Sequence, residues 1–244
     1  VEHLVFAPDG RTFFAVDEIS EPDAEEVRAV CSTRDVASGE VRWQFGPGPT
    51  AYLGRYSWDG ALLVVGFEAP QLSVRDARTG QELRTVDTGA PEPLNLELTP
   101  DGEGLLAVLE EEVRMWRLAD GAPLWRTPLD VIEVAFSPDG ARVVCASWEG
   151  ELLTLDVKTG RTEARSGGAP KGLAKCVFSG PDRLLLASGW MDDDRRLVEV
   201  DAATGTPLRR FRGHRAITRD LVLSPDGTRF WSVDGEGLLC EWAL

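Results

Sequence analysis

The chain has 244 residues, and its 41 Asp and Glu outnumber its 26 Lys and Arg, for a formal net charge of −15. That balance excludes a nucleic-acid backbone or an anionic membrane surface as the main ligand, because both are held by clustered Lys and Arg. At 43% hydrophobic residues the chain can bury a core, and apolar runs such as Ala61 to Phe67 are too short to span a bilayer.

From the N-terminus onward a short turn motif recurs. It stands as Ala7-Pro8-Asp9-Gly10, Ser57-Trp58-Asp59-Gly60, Thr99-Pro100-Asp101-Gly102, Ser137-Pro138-Asp139-Gly140, Gly180-Pro181-Asp182-Arg183 and Ser224-Pro225-Asp226-Gly227. The aspartates lie 50, 42, 38, 43 and 44 residues apart. Pro presets φ, Asp bonds the local backbone and Gly takes the permissive last place. Trp58 and Arg183 depart from the pattern and weaken their turns. Short apolar or alternating runs flank each motif, as Val131 to Phe136 and Ala141 to Cys145 do, and such runs cut by Pro, Asp and Gly are strands. No stretch sustains helical periodicity over three turns. A second mark recurs with the first: a Gly four residues past a fixed position, in the pairs Asp35/Gly39, Asp76/Gly80, Arg117/Gly121, Asp156/Gly160 and Asp201/Gly205. Each unit therefore reads strand a, turn, strand b, loop, strand c, glycine turn, strand d.

Antiparallel units of about 40 residues in tandem predict an all-β chain, a β-propeller of four-stranded blades. A single domain over residues 1–244 has blades at about 1–49, 50–92, 93–129, 130–169, 170–213 and 214–244. The sixth is incomplete, stopping after strand c. Either it has three strands, or flanking sequence, including a seventh blade, completes the ring.

Residues 213–242 resemble one repeat of the WD-repeat β-propeller family. Gly213-His214 opens it, Ser224-Pro225-Asp226-Gly227 follows with Asp226 12 residues after His214, and Trp242 ends strand c. The stretch from Val200 to Arg212 is similar to the strand c to strand d link of bacterial members, which makes the chain resemble a bacterial-type WD-repeat protein. Elsewhere only Trp116 fills the strand c Trp position; Arg34, Arg75, Leu155 and Val200 occupy it in the other blades. The resemblance implies a hydrogen-bonded network inside the last blade, at positions His214, Ser232, Glu236 and Trp242, with Glu236 where Asp is usual. Such a network rigidifies a blade and is not a catalytic triad. The resemblance also implies a non-catalytic scaffold for protein–protein or protein–peptide binding. The alternative is a propeller enzyme, a lactonase-like hydrolase or quinone-dependent dehydrogenase, with a metal or cofactor in its channel.

The inventory for chemistry is thin: His3 and His214, one Asn (Asn95), and no GxSxG. Gly102 to Ala107 matches a dinucleotide fingerprint on paper, but it runs from a turn into a strand, where the mechanism needs a helix N-terminus. Asp192, Asp193 and Asp194 are carboxylates of the kind a hard cation needs, yet three consecutive residues cannot converge, and a solvated loop is the plainer reading. Cys31, Cys145, Cys176 and Cys240 form no CxxC pair and read as reduced, mostly buried thiols of a cytoplasmic protein. Neither a catalytic residue, a metal nor a cofactor is expected.

The b-to-c loops carry the charge. Blade 1 offers Asp17, Glu18, Glu21, Asp23, Glu25 and Glu26, and blades 2 and 3 offer Glu68 and Glu110 to Glu112. Blade 4 offers Glu149 and Glu151, blade 5 Asp192 to Asp194, and blade 6 Asp234 and Glu236, with Trp148 and Trp190 among them. The windows 17–26, 67–71, 110–112, 148–151, 190–194 and 234–237 hold 17 of the 41 acids and none of the 26 basic residues. An acidic rim with aromatic anchors suits a basic protein or peptide. A surface that merely keeps the domain soluble is the alternative, and Arg126, Lys171, Arg212 and Arg215 on the d-to-a side dilute the field.

Overall fold

The computed structural model describes residues 3–19, 28–48, 51–67, 69–89, 93–189, 197–224 and 226–244; of Glu18, Ile19, Pro47, Gly48 and Tyr52 only the backbone is described. These residues form 23 strands and no helix. Blade 1 holds β1 (His3–Phe6), β2 (Thr12–Ile19), β3 (Arg28–Asp35) and β4 (Val41–Gly48); blade 2 holds β5 (Ala51–Tyr56), β6 (Leu62–Phe67), β7 (Gln71–Asp76) and β8 (Glu82–Asp87). Blade 3 holds β9 (Asn95–Leu98), β10 (Gly104–Val108), β11 (Glu112–Arg117) and β12 (Pro123–Pro128). Blade 4 holds β13 (Glu133–Phe136), β14 (Arg142–Ala146), β15 (Leu152–Asp156) and β16 (Thr162–Ser166). Blade 5 holds β17 (Lys175–Gly180), β18 (Arg183–Ala187), β19 (Leu197–Asp201) and β20 (Pro207–Phe211). Blade 6 is described with three strands, β21 (Thr218–Leu223), β22 (Arg229–Asp234) and β23 (Leu239–Ala243). Each sheet hydrogen-bonds its strands in chain order, so the fold is an all-β, six-bladed propeller.

By internal packing the chain divides into two compact units, Val1–Leu109 with Arg114–Leu124, and Glu110–Val113 with Trp125–Leu244. In both, second strands such as β6, β10, β14 and β18 are apolar on both faces, because they are sandwiched between neighbouring sheets, while β22 of blade 6 alternates. All five residues of β10 are buried, as are four of the five in β14 and β18. In the first unit Phe14, Val16, Leu63 and Val65 form one core, and Val64, Leu72, Leu105 and Trp116 another. In the second unit Val144, Leu152, Leu184 and Val200 form one, and Leu185, Leu197, Phe211 and Phe230 another. The fourth strands are mostly exposed, as outer edges should be.

Two kinds of turn close one side of blades 1 to 5, and the first of them also closes blade 6. In the a–b turns the Ser or Thr that opens the motif wires it: Ser57, Thr99, Ser137 and Ser224 Oγ donate to the Asp two residues on, at 2.5–2.6 Å. The same oxygens accept the backbone N–H five residues on at 2.8–3.0 Å. Blades 1 and 5 have Ala7 and Gly180 there and lack this wiring. Trp58, a departure from the motif, leaves its turn closed: Gly60 N donates to Ser57 O at 2.8 Å, and the indole Nε1 donates to Leu98 O of the next blade at 3.3 Å. In the c–d turns the glycines at 39, 80, 121, 160 and 205 lie at φ +67° to +74°, and each donates its N–H to the carbonyl four residues back. Thr79, Thr159 and Thr204 donate their hydroxyls to Asp76, Asp156 and Asp201. A backbone bond then ties each c–d turn to its own a–b turn, as from Ala77 to Ala61 and Val157 to Ala141.

Blades are fastened to each other by a residue four past the turn glycine. Trp43 Nε1 donates to Ala77 O at 2.9 Å, Trp125 Nε1 to Val157 O at 2.8 Å, and Arg209 Nη1 to Ala243 O at 2.8 Å; Arg84 reaches Leu118 O in the same way. Ala77, Leu118 and Val157 each open the next blade's c–d turn, and Ala243 ends β23 of blade 6. The pairing of strands c and d shifts register just before this residue in blades 1, 2, 4 and 5, and such a bulge re-aims the side chain that follows it. Blade 4 has Ala164 at this place; there Arg142 Nη2 bonds Pro181 O at 3.1 Å instead.

The fastening makes the turn glycines unequal. A Cβ on Gly80 would lie 2.5 Å from the Trp43 ring, whereas one on Gly102, at a similar φ of +73°, meets nothing within 4 Å. Gly102→Ala should therefore lose about 1–2 kcal/mol from left-handed backbone strain alone. Gly80→Ala should lose roughly 3 kcal/mol or more once the displaced ring is added. Equilibrium urea denaturation of the two variants checks the difference.

The turn carboxylates also set an acid limit. Hydrogen bonds from Ser224 and Thr228, with one from the Thr228 backbone, hold Asp226 down to about 2, and Arg42 with the backbone of Ser38 and Ala37 does the same for Asp35. Asp76, Asp139, Asp156 and Asp201 are lowered chiefly by their Ser or Thr partners. In the unfolded chain these groups titrate near 3.8, so their stabilisation is complete above that pH and is lost as pH falls toward about 2. Melting temperature should be flat with respect to these groups above pH 5 and should drop steeply between about pH 4 and pH 2, as followed by circular dichroism.

Candidate functional site

The b–c turns and the d–a connections share one side of each sheet stack, and backbone bonds join them. In the first unit Thr88 N donates to Pro70 O at 2.9 Å. In the second, Leu129 N donates to Glu111 O at 3.0 Å, Gly172 N to Trp148 O at 2.9 Å, Ala169 N to Gly150 O at 3.2 Å and Gly235 N to Ile217 O at 2.8 Å. This is the side on which the sequence places its acids.

The second unit shapes this side into a groove of about 300 Å³. Leu129, Val131, Trp148 and Leu153 supply apolar lining, Asp130, Glu149 and Glu151 supply carboxylates, and Arg165 contributes one cation. Trp148 is half-buried and Glu149 exposed. The acids are not bare. Glu149 accepts from Lys171 Nζ at 2.6 Å and Glu151 from Arg165 Nη1 at 3.4 Å. Asp17, in the first unit, likewise accepts from Arg34 Nη2 at 2.9 Å, drawn along its own sheet by the neighbouring strand. Glu110 and Glu111 are exposed on the turn that Leu129 caps. Glu21, Asp23, Glu25, Glu26, Trp190, Asp192, Asp193 and Asp194, together with Glu68, lie outside the described residues, as does the side chain of Glu18.

Blade 6 holds the polar network, with one correction. His214 Nε2 meets Ser232 Oγ at 2.6 Å, Trp242 Nε1 donates to the same oxygen at 2.7 Å, and His214 Nδ1 meets Asp234 Oδ2 at 3.3 Å. The carboxylate is thus Asp234 and not Glu236. Asp234 ends β22 with its side chain fully buried, while Glu236, two residues into the turn, only donates its backbone N–H to Asp234 Oδ1 at 3.1 Å. Burial raises the Asp234 carboxyl, and backbone N–H groups of Leu238, Arg215, Ala216 and Glu236 outweigh it, leaving it at about 2. The ring of Trp242 packs edge-on to Phe211 at 5.6 Å, and a Cβ on Gly213 would sit 2.8 Å from it, which is why a glycine precedes His214. Ser232 is buried and its oxygen already receives the indole N–H, so it is closed to a substrate.

The glycines of the dinucleotide-like stretch lie in a turn and a strand, and three of the four cysteines are packed in the sheets. Gly104 opens strand β10, so no helix follows the glycines at 102–104. All four cysteines are free thiols; Cys31, Cys145 and Cys176 are buried, and burial pushes the first two up to about 12. Among the described residues no group of three or more His, Cys, Asp or Glu could hold a metal ion. Among them also no helix is long and apolar enough to cross a membrane.

Comparison with known proteins places the fold. No protein-family model matches the chain. It is 29% identical over 154 residues to transcription initiation factor TFIID subunit 5 of Caenorhabditis elegans, covering 62% of this chain and 23% of that protein. It is 33% identical over 109 residues to WD repeat-containing protein 55 of Bos taurus (43% and 27%), and 24% identical over 196 residues to eukaryotic translation initiation factor 3 subunit I of Coccidioides immitis (72% and 57%). The chain therefore spans about a quarter to somewhat over half of the length of these relatives. A chain in the crystal structure of the mitotic checkpoint complex superposes with a TM-score of 0.81 at 17% identity, over 99% of this chain and 73% of that one. The similarity and the fold together support a WD-repeat type of β-propeller. These relatives come from animals and a fungus and give no support to a bacterial type.

The correction in blade 6 is directly measurable. Asp234→Asn should cost about 2–4 kcal/mol, because it disturbs a buried, fully bonded network, while Glu236→Gln should stay within about 0.5 kcal/mol of the parent. Chemical denaturation of both variants tests the assignment.

Proposed function

We propose that the protein is a non-catalytic WD-repeat-like scaffold that binds a basic protein or peptide on the side carrying its b–c turns and d–a connections. The observation that carries this reading is the groove at Trp148: apolar lining and three carboxylates on a surface whose backbone is locked by cross-turn hydrogen bonds. A rigid display of this kind binds without covalent chemistry, with charge steering the encounter and an aromatic side chain supplying much of the contact energy. Asp17, Glu18, Glu21, Asp23, Glu25 and Glu26 of blade 1, Trp148 and Glu149 of blade 4, and Trp190 with Asp192, Asp193 and Asp194 of blade 5 are the contact residues in this reading. Relatives named for transcription initiation, translation initiation and a checkpoint complex support a role among protein partners. Four free thiols suit a reducing compartment such as the cytoplasm.

Binding to a labelled oligolysine peptide, followed by fluorescence anisotropy across about 0.05–0.5 M salt, should weaken steeply as screening increases. Replacing Glu21, Asp23, Glu25 and Glu26 with Lys should lower the affinity and flatten that salt dependence. Affinity that does not respond to salt removes the basic-partner reading.

A further inference from the structure

Two of the protein's own cations hold acids of the blade 4 groove, Arg165 from within its lining and Lys171 from outside it. Lys171, in the connection after β16, holds Glu149 at 2.6 Å, and Arg165, on β16, holds Glu151 at 3.4 Å. All four side chains are 48–70% exposed, so both pairs are solvent-screened and readily exchanged. The walls behind them do not share this freedom. Glu151 N donates to Ser147 Oγ at 3.0 Å, Gly172 N to Trp148 O at 2.9 Å, and Gly150 (φ +84°) would place a Cβ 2.4 Å from Ala169 O. A guest therefore meets a preformed backbone and displaces the side chains of Lys171 and Arg165.

We infer that this groove is the anchor point for a single Lys or Arg side chain of a basic peptide, flanked by an apolar residue, and that Lys171 and Arg165 are built-in competitors which the guest displaces from Glu149 and Glu151. The inference rests on the scaffold reading above and names the partner chemistry of one place on that surface. Charge complementarity selects the guest. Asp130, Glu149 and Glu151 outnumber Arg165 and Lys171, and Glu110 and Glu111 lie on the turn bonded to Leu129 at the groove's edge. Leu129, Val131, Trp148 and Leu153 give the aliphatic stem of such a side chain an apolar surface, and an indole face suits a cationic head. A volume near 300 Å³ admits one long side chain and its neighbour, at the lower end of ordinary ligand sites.

Competition makes a prediction that plain attraction does not share in size: removing a base that holds a groove carboxylate should improve binding locally. The test uses the full chain and a fluorescein-labelled decapeptide of alternating Leu and Arg, with the matching Leu and Glu peptide as control. Lys171→Gln should bind the Leu–Arg peptide about threefold tighter and the Arg165→Gln/Lys171→Gln pair roughly tenfold tighter, while Glu149→Gln/Glu151→Gln should bind roughly tenfold weaker. Arg126→Gln, a base that holds neither Glu149 nor Glu151, should change affinity less than twofold. Unchanged melting temperatures confirm that the variants are folded. If the parent binds the Leu–Arg peptide but the groove variants match Arg126→Gln, the anchor assignment is wrong and the scaffold reading stands. If the parent binds neither peptide, or both equally, at low salt, the basic-partner reading falls and takes the anchor with it.

Discussion

One hydrogen bond organises three of the blade junctions: a strand-d Trp or Arg donates to the carbonyl that opens the next blade's c–d turn. It fixes how far one sheet stands from the next, and so how large the side chains between them can be. The c–d glycine answers two demands at once. Its positive φ lets the turn reverse in four residues, and its missing Cβ leaves room for the neighbour's indole, as at Gly80 beneath Trp43 and Gly160 beneath Trp125. The bulge before the donor turns it out of its own sheet and toward the next. With the spacing fixed, the apolar second strands can be sealed on both faces.

The two sides of the sheets then divide the work. On the side of the a–b and c–d turns, Ser, Thr, Asp and Gly are consumed by the turns themselves, and little is left over for a ligand. On the other side the loops vary from blade to blade in length and sequence and carry surplus acid. Their backbone is still held, by bonds such as Gly172 to Trp148 and Leu129 to Glu111. A surface that is variable in side chains and constant in backbone is what a binding scaffold requires. The His214, Ser232, Asp234 and Trp242 network belongs to the rigid part: it resembles catalytic machinery in composition, yet its oxygen and ring nitrogens already bond one another.

Much of the fold was legible because its turns are local. Pro, Asp and Gly act within four residues, and their spacing alone gave six blades and the strand order. What escaped the sequence was mostly non-local. Trp43, Arg84, Trp125 and Arg209 stand at a constant offset from the turn glycines, a readable periodicity, but their acceptors lie 32–34 residues away, and no local rule reveals them. The choice of Asp234 over Glu236 depended on which carboxylate the b–c turn buries, and the family spacing pointed two residues too far. The acidic rim and the dilution of its field by Lys171 were legible as charge counts, whereas the pairing of Glu149 with Lys171, Glu151 with Arg165 and Asp17 with Arg34 was not, because each base comes from another strand or connection.

The central claim is that the b–c and d–a side, and not the turn side, meets a partner. Chemical-shift mapping of the isotope-labelled protein during titration with a cationic peptide tests this most directly. The account predicts shifted amides concentrated at residues 110–112, 129–131, 147–151 and 169–172, with the turns at 137–140 and 156–160 unmoved. Shifts concentrated in those two turns, with the groove silent, would contradict it.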